Sequence, residues 1–279
     1  MIRRDVPWGA ADPKHWLLIS QVDHARLSFE LAAAWGNASV PALVCPPDDF
    51  EHPLAATLQA LLDAVDHHDD GWLSWRESPG IDPKTGRPYS FTEMPPADAQ
   101  RIWTESIEAC RAFGPFAGWL VAAHFSALQS KRDGDYPEWV AWLEEVDRQR
   151  AGWLAEWLGR RSERHTQQLA DRCLAWLQAF DWMSLWLCCR CPVARGGGDG
   201  EPLVIGDDET GWPEVTFKPL LRGDESERRV QVSPWPFAKS SLRLSVPGTL
   251  VPVKDYRSEP IIGVGRAVRV SWRLVPPDR

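Results

Sequence analysis

The sequence lacks the features of a nucleic-acid-binding or membrane protein. It has no run of lysine and arginine longer than two or three residues, and its formal net charge is -8 at pH 7. Electrostatic binding to nucleic acid needs a concentrated basic face, so we expect no nucleic-acid partner. No stretch reaches the ~18 uninterrupted apolar residues of a membrane span, and residues 1–5 do not lead into an apolar signal segment. We therefore expect a cytoplasmic protein without a membrane partner.

The cysteines are too few and too scattered for a typical structural zinc site. Cys188 and Cys191 have CxxC spacing, but no second pair with that spacing exists among the 6 cysteines, and such sites usually need one. Since 44% of the residues are hydrophobic, the chain can bury a core without disulfides. Tryptophan, by contrast, is abundant at 17 residues, and we interpret most of these side chains as core packing.

Hydrophobic periodicity divides the chain into a helical and a β-rich region. Apolar residues recur at helical spacing in six segments, near residues 22–35, 53–66, 97–112, 115–131, 136–159 and 162–189. Strand patterns occur at both ends of the chain, near residues 2–6, 16–19, 215–217, 229–232, 242–246 and 268–272. The glycine-rich segment 196–200 marks a break between the two regions.

These patterns predict a mainly α fold that is α+β overall. We expect a helical bundle over residues 20–191 and a C-terminal antiparallel β-rich subdomain over residues 200–279. The N-terminal strands of residues 1–19 are expected to join that subdomain, because an isolated two-stranded hairpin is only marginally stable.

Polar residues interrupt the apolar faces of several predicted helices. His68 lies three residues after Val65 and Asp69 lies four after it, so both point to the core side of their helix. His24, His124 and Asp181 repeat this pattern on other helices. A buried charge is costly unless it is paired or binds a metal. One divalent cation can satisfy all these groups, as can mutual pairing or, for the last carboxylate, a nearby arginine.

The order of these residues resembles that of a known superfamily. His24, then His68-Asp69, then Asp181 resembles the HD-domain superfamily of metal-dependent phosphohydrolases over roughly residues 20–190. More closely, the chain resembles an uncharacterised bacterial family, domain of unknown function 3891, in residues 21–27, 68–72, 85–91 and 180–185. The resemblance implies an HD-like helical bundle that holds a divalent metal ion with these four residues. It leaves the metal open among Mn, Fe, Co, Ni, Zn and Mg.

The same resemblance implies hydrolysis of a small phosphorylated substrate, such as a nucleotide, by metal-activated water. Asp69 would be both a ligand and an orienter of that water. His67 and His124 would take further catalytic parts, the latter as a phosphate contact or a general acid. The expected substrate-side residues come from the motif and from the long loop after it: Asp70, Trp72 and Arg87.

Three other functions stay open. An HD-type iron oxygenase would need a second metal, and His124 is the candidate imidazole for it between the His-Asp pair and Asp181. A metal-stabilised module could bind a ligand without catalysis. An ordinary helical domain could pair its inward His and Asp with each other and bind no metal. The sequence leaves the oligomeric state and the role of the β-rich region undetermined.

Overall fold

The computed structural model describes residues 1–6, 15–37, 40, 42–45, 49–130, 136–161, 164–191, 201–220, 228–258, 261 and 263–277. Its helices are α1 (Gln21–Ala34), α2 (Ala55–His67), α3 (Leu73–Glu77), α4 (Pro96–Arg111), α5 (Pro115–Ser130), α6 (Val140–Arg160) and α7 (Gln167–Cys189). Its strands are β1 (Ile2–Val6), β2 (His15–Ile19), β3 (Leu203–Ile205), β4 (Val215–Leu220), β5 (Arg228–Ser233), β6 (Leu242–Pro252) and β7 (Arg266–Val275). The glycine-rich segment 196–200 lies outside the described residues.

The strands form one sheet in the order β1-β2-β6-β7-β5-β4-β3. Strand β5 runs parallel to β7, and the other neighbours are antiparallel. The N-terminal strands enter the sheet where β2 pairs with β6, which agrees with the expectation that residues 1–19 join the β-rich region. Alternating buried and exposed residues in β4 are typical of a sheet with one face on the core.

The prediction of a mainly α helical bundle with an antiparallel β subdomain is wrong. Of the residues that the structure describes, 49% are helical and 21% are in strands, an α+β fold with a curled mixed sheet. Strands β6 and β7 span 11 and 10 residues, so the alternating segments near 242–246 and 268–272 marked only part of each. Alternation also cannot show that two strands distant in sequence run parallel, because that depends on the path of the connecting chain.

Helices and sheet share one hydrophobic core. Leu17 and Trp272 of the sheet belong to the same buried cluster as Leu27 of α1 and Phe180 of α7. Arg4 of β1 is buried and donates hydrogen bonds to the carbonyls of Cys188 and Cys191, where α7 ends. The division into residues 20–191 and residues 1–19 plus 200–279 stays a prediction, and this core crosses its boundary.

Helix α5 is buried along most of its length. It packs against α2, α4, α6 and α7, while α1 packs against α2 and α7. Side chains that point inward from α1, α5, α7 and the end of α2 therefore face a common centre. In the described part of the chain, no helix combines the length and apolar character needed to cross a membrane.

Candidate metal centre

The motif that follows α2 divides into an inner and an outer pair of side chains. His68 and Asp69 are buried at 1% and 4% exposure. His67 and Asp70 are partly exposed, and their Nδ1 and Oδ2 atoms are 2.7 Å apart. The ring of His67 also stacks on Phe113, at 4.7 Å between centroids. The inner pair thus faces the core, and the outer pair is satisfied at the surface.

The structure brings the four predicted metal ligands together. His24 Nε2 is 3.0 Å from Asp69 Oδ2 and 3.3 Å from Asp181 Oδ1. His68 Nε2 is 3.7 Å from Asp69 Oδ2 and 3.4 Å from Asp181 Oδ1. Donor atoms with ~2.1 Å bonds to one cation lie at most ~4.2 Å apart, and all these distances are shorter. His24, His68 and Asp69 each offer a ligand atom, and these three atoms all lie within 4.8 Å of one another, so they could share one cation with Asp181 beside it.

Hydrogen bonds orient both imidazoles toward that position. His68 Nδ1 donates to the Val65 carbonyl at 2.9 Å, and His68 Nε2 has no hydrogen-bond partner among the described residues. His24 Nδ1 is 2.5 Å from Ser184 Oγ, which itself donates to the Asp181 carbonyl. With the proton on Nδ1 of each ring, both Nε2 lone pairs are available, as in metal-binding histidines fixed by an outer hydrogen bond.

Without a cation, charge pairing governs the protonation of the cluster. Burial lowers the pKa of His68, but the charges of Asp69 and Asp181 outweigh it and raise that pKa to about 9. Burial raises the pKa of Asp181, but its bond to His68 and the nearby imidazoles hold it well below its usual value. In this cation-free state the inward histidines and aspartates pair with each other, which is one of the alternatives that the sequence left open.

His124 extends the cluster on the α5 side. Its Nε2 is 3.4 Å from Asp181 Oδ2, and its ring centroid is 5.8 Å from that of His68. Burial lowers the pKa of His124 to about 4, so its ring is neutral at neutral pH. Asp181 thus presents Oδ1 to His24 and His68, and Oδ2 to His124.

The cluster lies in the wall of a cavity of about 570 Å³. Trp72, which the sequence placed near the substrate, also lines this cavity. The sequence interpretation missed the rest of the wall: Gln21, Phe91, Thr92, Trp103, Phe125, Leu128, Tyr136 and Leu185. Most of these residues occupy apolar positions that look like ordinary core. Gln21, Phe91 and Leu185 gave a further signal, because they stand in the segments 21–27, 85–91 and 180–185 that carried the family resemblance.

Three residues expected at the site lie elsewhere. Asp70 pairs with His67 rather than with a ligand histidine, and His67 is not among the described residues of the cavity wall. Arg87 is exposed and also absent from that described wall. Its loop is held against the β region, where the Tyr256 amide donates to the Gly86 carbonyl at 2.8 Å.

Comparison with known proteins identifies a family for this chain but gives no activity for it. A family model described as Protein of unknown function (DUF3891) matches residues 9–253. Searches of curated proteins and of solved structures found no significant match.

Proposed function

The chain belongs to the DUF3891 family, and we propose that it is a metal-dependent hydrolase of the HD type that acts on a phosphate ester. The observation that supports this most is the convergence of His24, His68-Asp69 and Asp181 from three helical segments. Their order along the chain is the one that HD-type phosphohydrolases use.

The donor set fits a divalent cation. Two imidazole nitrogens and two carboxylates suit Zn, Fe, Mn, Co or Ni better than Mg, which prefers oxygen ligands. The buried His68 Nε2 atom has ion-pair contacts at 3.4 Å and 3.7 Å with Asp181 and Asp69 but no hydrogen bond among the described residues, and a buried polar atom without a hydrogen bond is costly. A cation at this position would remove that cost.

Each residue can then be given a part in hydrolysis. A divalent cation supplies Lewis-acid chemistry, since it lowers the pKa of water and polarises a phosphoryl oxygen. Asp69 Oδ2 would orient the attacking water and accept its proton. His124, 3.4 Å from Asp181, would donate its single N–H either to that carboxylate, holding it in place, or to the phosphoryl group. Trp72 and Trp103 in the cavity wall would exclude bulk water.

The inner pair (His68 and Asp69) and the outer pair (His67 and Asp70) of the motif after α2 provide matched test and control variants. We expect His68→Gln and Asp69→Asn to abolish both metal binding and hydrolysis of 4-nitrophenyl phosphate esters. His67→Gln and Asp70→Asn, at the adjacent positions, should retain both. The measurements are elemental analysis of protein purified without chelator and the rate of nitrophenol release. Equal metal content in all four variants would contradict the ligand assignment, and bound metal without hydrolysis of any ester would contradict the catalytic one.

A second candidate is a two-metal iron oxygenase, because Asp181 offers its two oxygens to different imidazoles. In this case, His124 and Asp181 Oδ2 would begin the second site. Two iron ions per chain and dioxygen-dependent turnover would favour it. A single metal ion with hydrolytic turnover would exclude it.

A further inference from the structure

The described residues of the cavity wall offer little positive charge to receive an anion. There is no lysine and no arginine among them. Their formal negative charges are the carboxylates of Asp69 and Asp181. A divalent cation bound between them would therefore bring the metal centre to a net charge of zero.

The zero net charge of the metal centre limits the negative charge of a substrate that the cavity can bind. A phosphomonoester dianion would leave two uncompensated negative charges in a cavity whose described wall has no cationic side chain other than its histidines, and a nucleoside polyphosphate would leave more. Burying unpaired charge is costly. A phosphodiester has one negative charge and two organic substituents, so the same cavity would receive it at a much lower electrostatic cost.

The remaining wall suits a flat apolar substituent. Trp103 and Phe125 stack with their planes 5° apart and their centroids at 4.8 Å, and both line the cavity along with Phe91, Leu128 and Tyr136. Aromatic walls of this kind favour contact with another ring.

The wall also holds neutral polar atoms without partners. The Oε1 of Gln21, the Nε1 of Trp72 and the Nδ1 of His124 are buried and have no hydrogen-bond partner among the described residues. An indole N–H can only donate, and a glutamine Oε1 can only accept. Such groups can bond to the oxygens and polar edges of a ligand, but they cannot neutralise a dianion.

We infer that the substrate is a phosphodiester with a single negative charge and a flat apolar substituent. This inference rests on the hydrolase function proposed above. Phosphomonoesters and nucleoside polyphosphates are then poor substrates of this site.

Metal-loaded protein can be tested with ligands that differ in charge. Calorimetry would compare methyl phenylphosphonate, a monoanion, with phenylphosphonate at a pH where it is a dianion. We expect the monoanion to bind at least about tenfold more tightly, because one uncompensated charge near a low-dielectric site costs more than RT ln 10. Hydrolysis of bis(4-nitrophenyl) phosphate and 4-nitrophenyl phosphate should show the same preference in kcat/KM.

A lysine placed in the wall should weaken this preference. Leu128 lines the cavity and is 41% exposed, so Leu128→Lys should be tolerated and strengthen dianion binding about tenfold. The matched control is Val204→Lys on β3, which is 52% exposed and should change neither affinity.

The outcomes separate this inference from the proposed function. Equal or tighter binding of the dianion by the natural protein would overturn the charge selection, even if both esters are hydrolysed. Selective binding of the monoanion without hydrolysis of any ester would support the ligand class and contradict the hydrolase.

Discussion

Ser184 is a fully buried residue whose small side chain orients a candidate ligand. Its Oγ is 2.5 Å from His24 Nδ1 and receives a hydrogen bond from Ser28 Oγ at 2.7 Å. Outer hydrogen bonds of this kind fix the tautomer and direction of a metal-binding imidazole. Helix periodicity does not identify the role of Ser184, because a serine on an apolar helix face is equally consistent with packing.

We expect Ser184→Ala to weaken metal binding about 10–100-fold without unfolding the protein. The affinity can be measured by competition with a chromophoric chelator. Ser126→Ala is the control, since Ser126 is similarly buried but contacts Asp147 rather than a candidate ligand. Equal metal affinities for the two variants would contradict the orienting role.

The protonation of His68 makes the metal-stripped protein sensitive to pH. Its folded-state pKa of about 9 lies above the unfolded value of ~6.5. The ion pairs of protonated His68 therefore stabilise the fold fully below about pH 6.5, and this stabilisation is lost as the pH rises through about 9. Urea unfolding of the metal-stripped protein should show a decreasing midpoint over that window. The unfolding midpoint of metal-loaded protein should not decrease over that window, because the bound cation takes the place of the proton on His68. Identical pH profiles for the metal-stripped and metal-loaded proteins would contradict this role of His68.

At the scale of elements, the tight turn after α2 positions the ligand pair against α4. A Cβ atom on Gly71 would lie 2.0 Å from the Ile102 carbonyl oxygen and 2.9 Å from the Ser106 amide nitrogen. The Gly71 amide also donates to Ser106 Oγ at 3.0 Å. Only a glycine allows the backbone of the turn to approach α4 so closely.

We expect Gly71→Ala to lower the free energy of unfolding by about 3 kcal/mol, because the turn and α4 must separate, and to reduce metal content. Gly152→Ala in α6 is the control: its Cβ would meet nothing within 4 Å, and an alanine there should stabilise the helix by about 0.5–1 kcal/mol. Thermal unfolding measures both changes. Equal melting temperatures for the two variants would contradict the close approach.

At the scale of the whole molecule, Arg4 joins the edge of the sheet to the end of α7. Its guanidinium donates to the carbonyls of Cys188 at 3.0 Å and Cys191 at 2.9 Å. A positive charge at a helix C-terminus also interacts favourably with the helix dipole. The sheet thereby contributes to holding the helix that carries Asp181.

We expect Arg4→Met to destabilise the protein by about 3 kcal/mol, since buried carbonyls lose charged hydrogen-bond donors. Because core residues of helices and sheet form one cluster, unfolding should remain a single calorimetric transition. Arg101→Met is the control: Arg101 is 45% exposed and pairs with Glu105, which is 43% exposed, and exposed pairs usually contribute about 1 kcal/mol or less. Two separate transitions in the natural protein would contradict the shared core.

The sequence by itself determined most helices and the four residues that meet at the candidate metal centre. This worked because a histidine or aspartate on an apolar helix face must find a partner inside, and because helix periodicity shows which face is inward. It also placed strands at both ends of the chain. The metal itself and the reaction stay predictions.

Only the tertiary structure decided the mixed sheet, the cavity wall and the positions of Arg87, His67 and Asp70. Parallel pairing of β5 with β7 depends on the path of the chain, which alternation does not encode. The aromatic residues of the cavity occupy positions that fit a core equally well, since periodicity shows that a side chain points inward but not whether another side chain fills the space before it. That distinction comes from the packing of helices far apart in sequence.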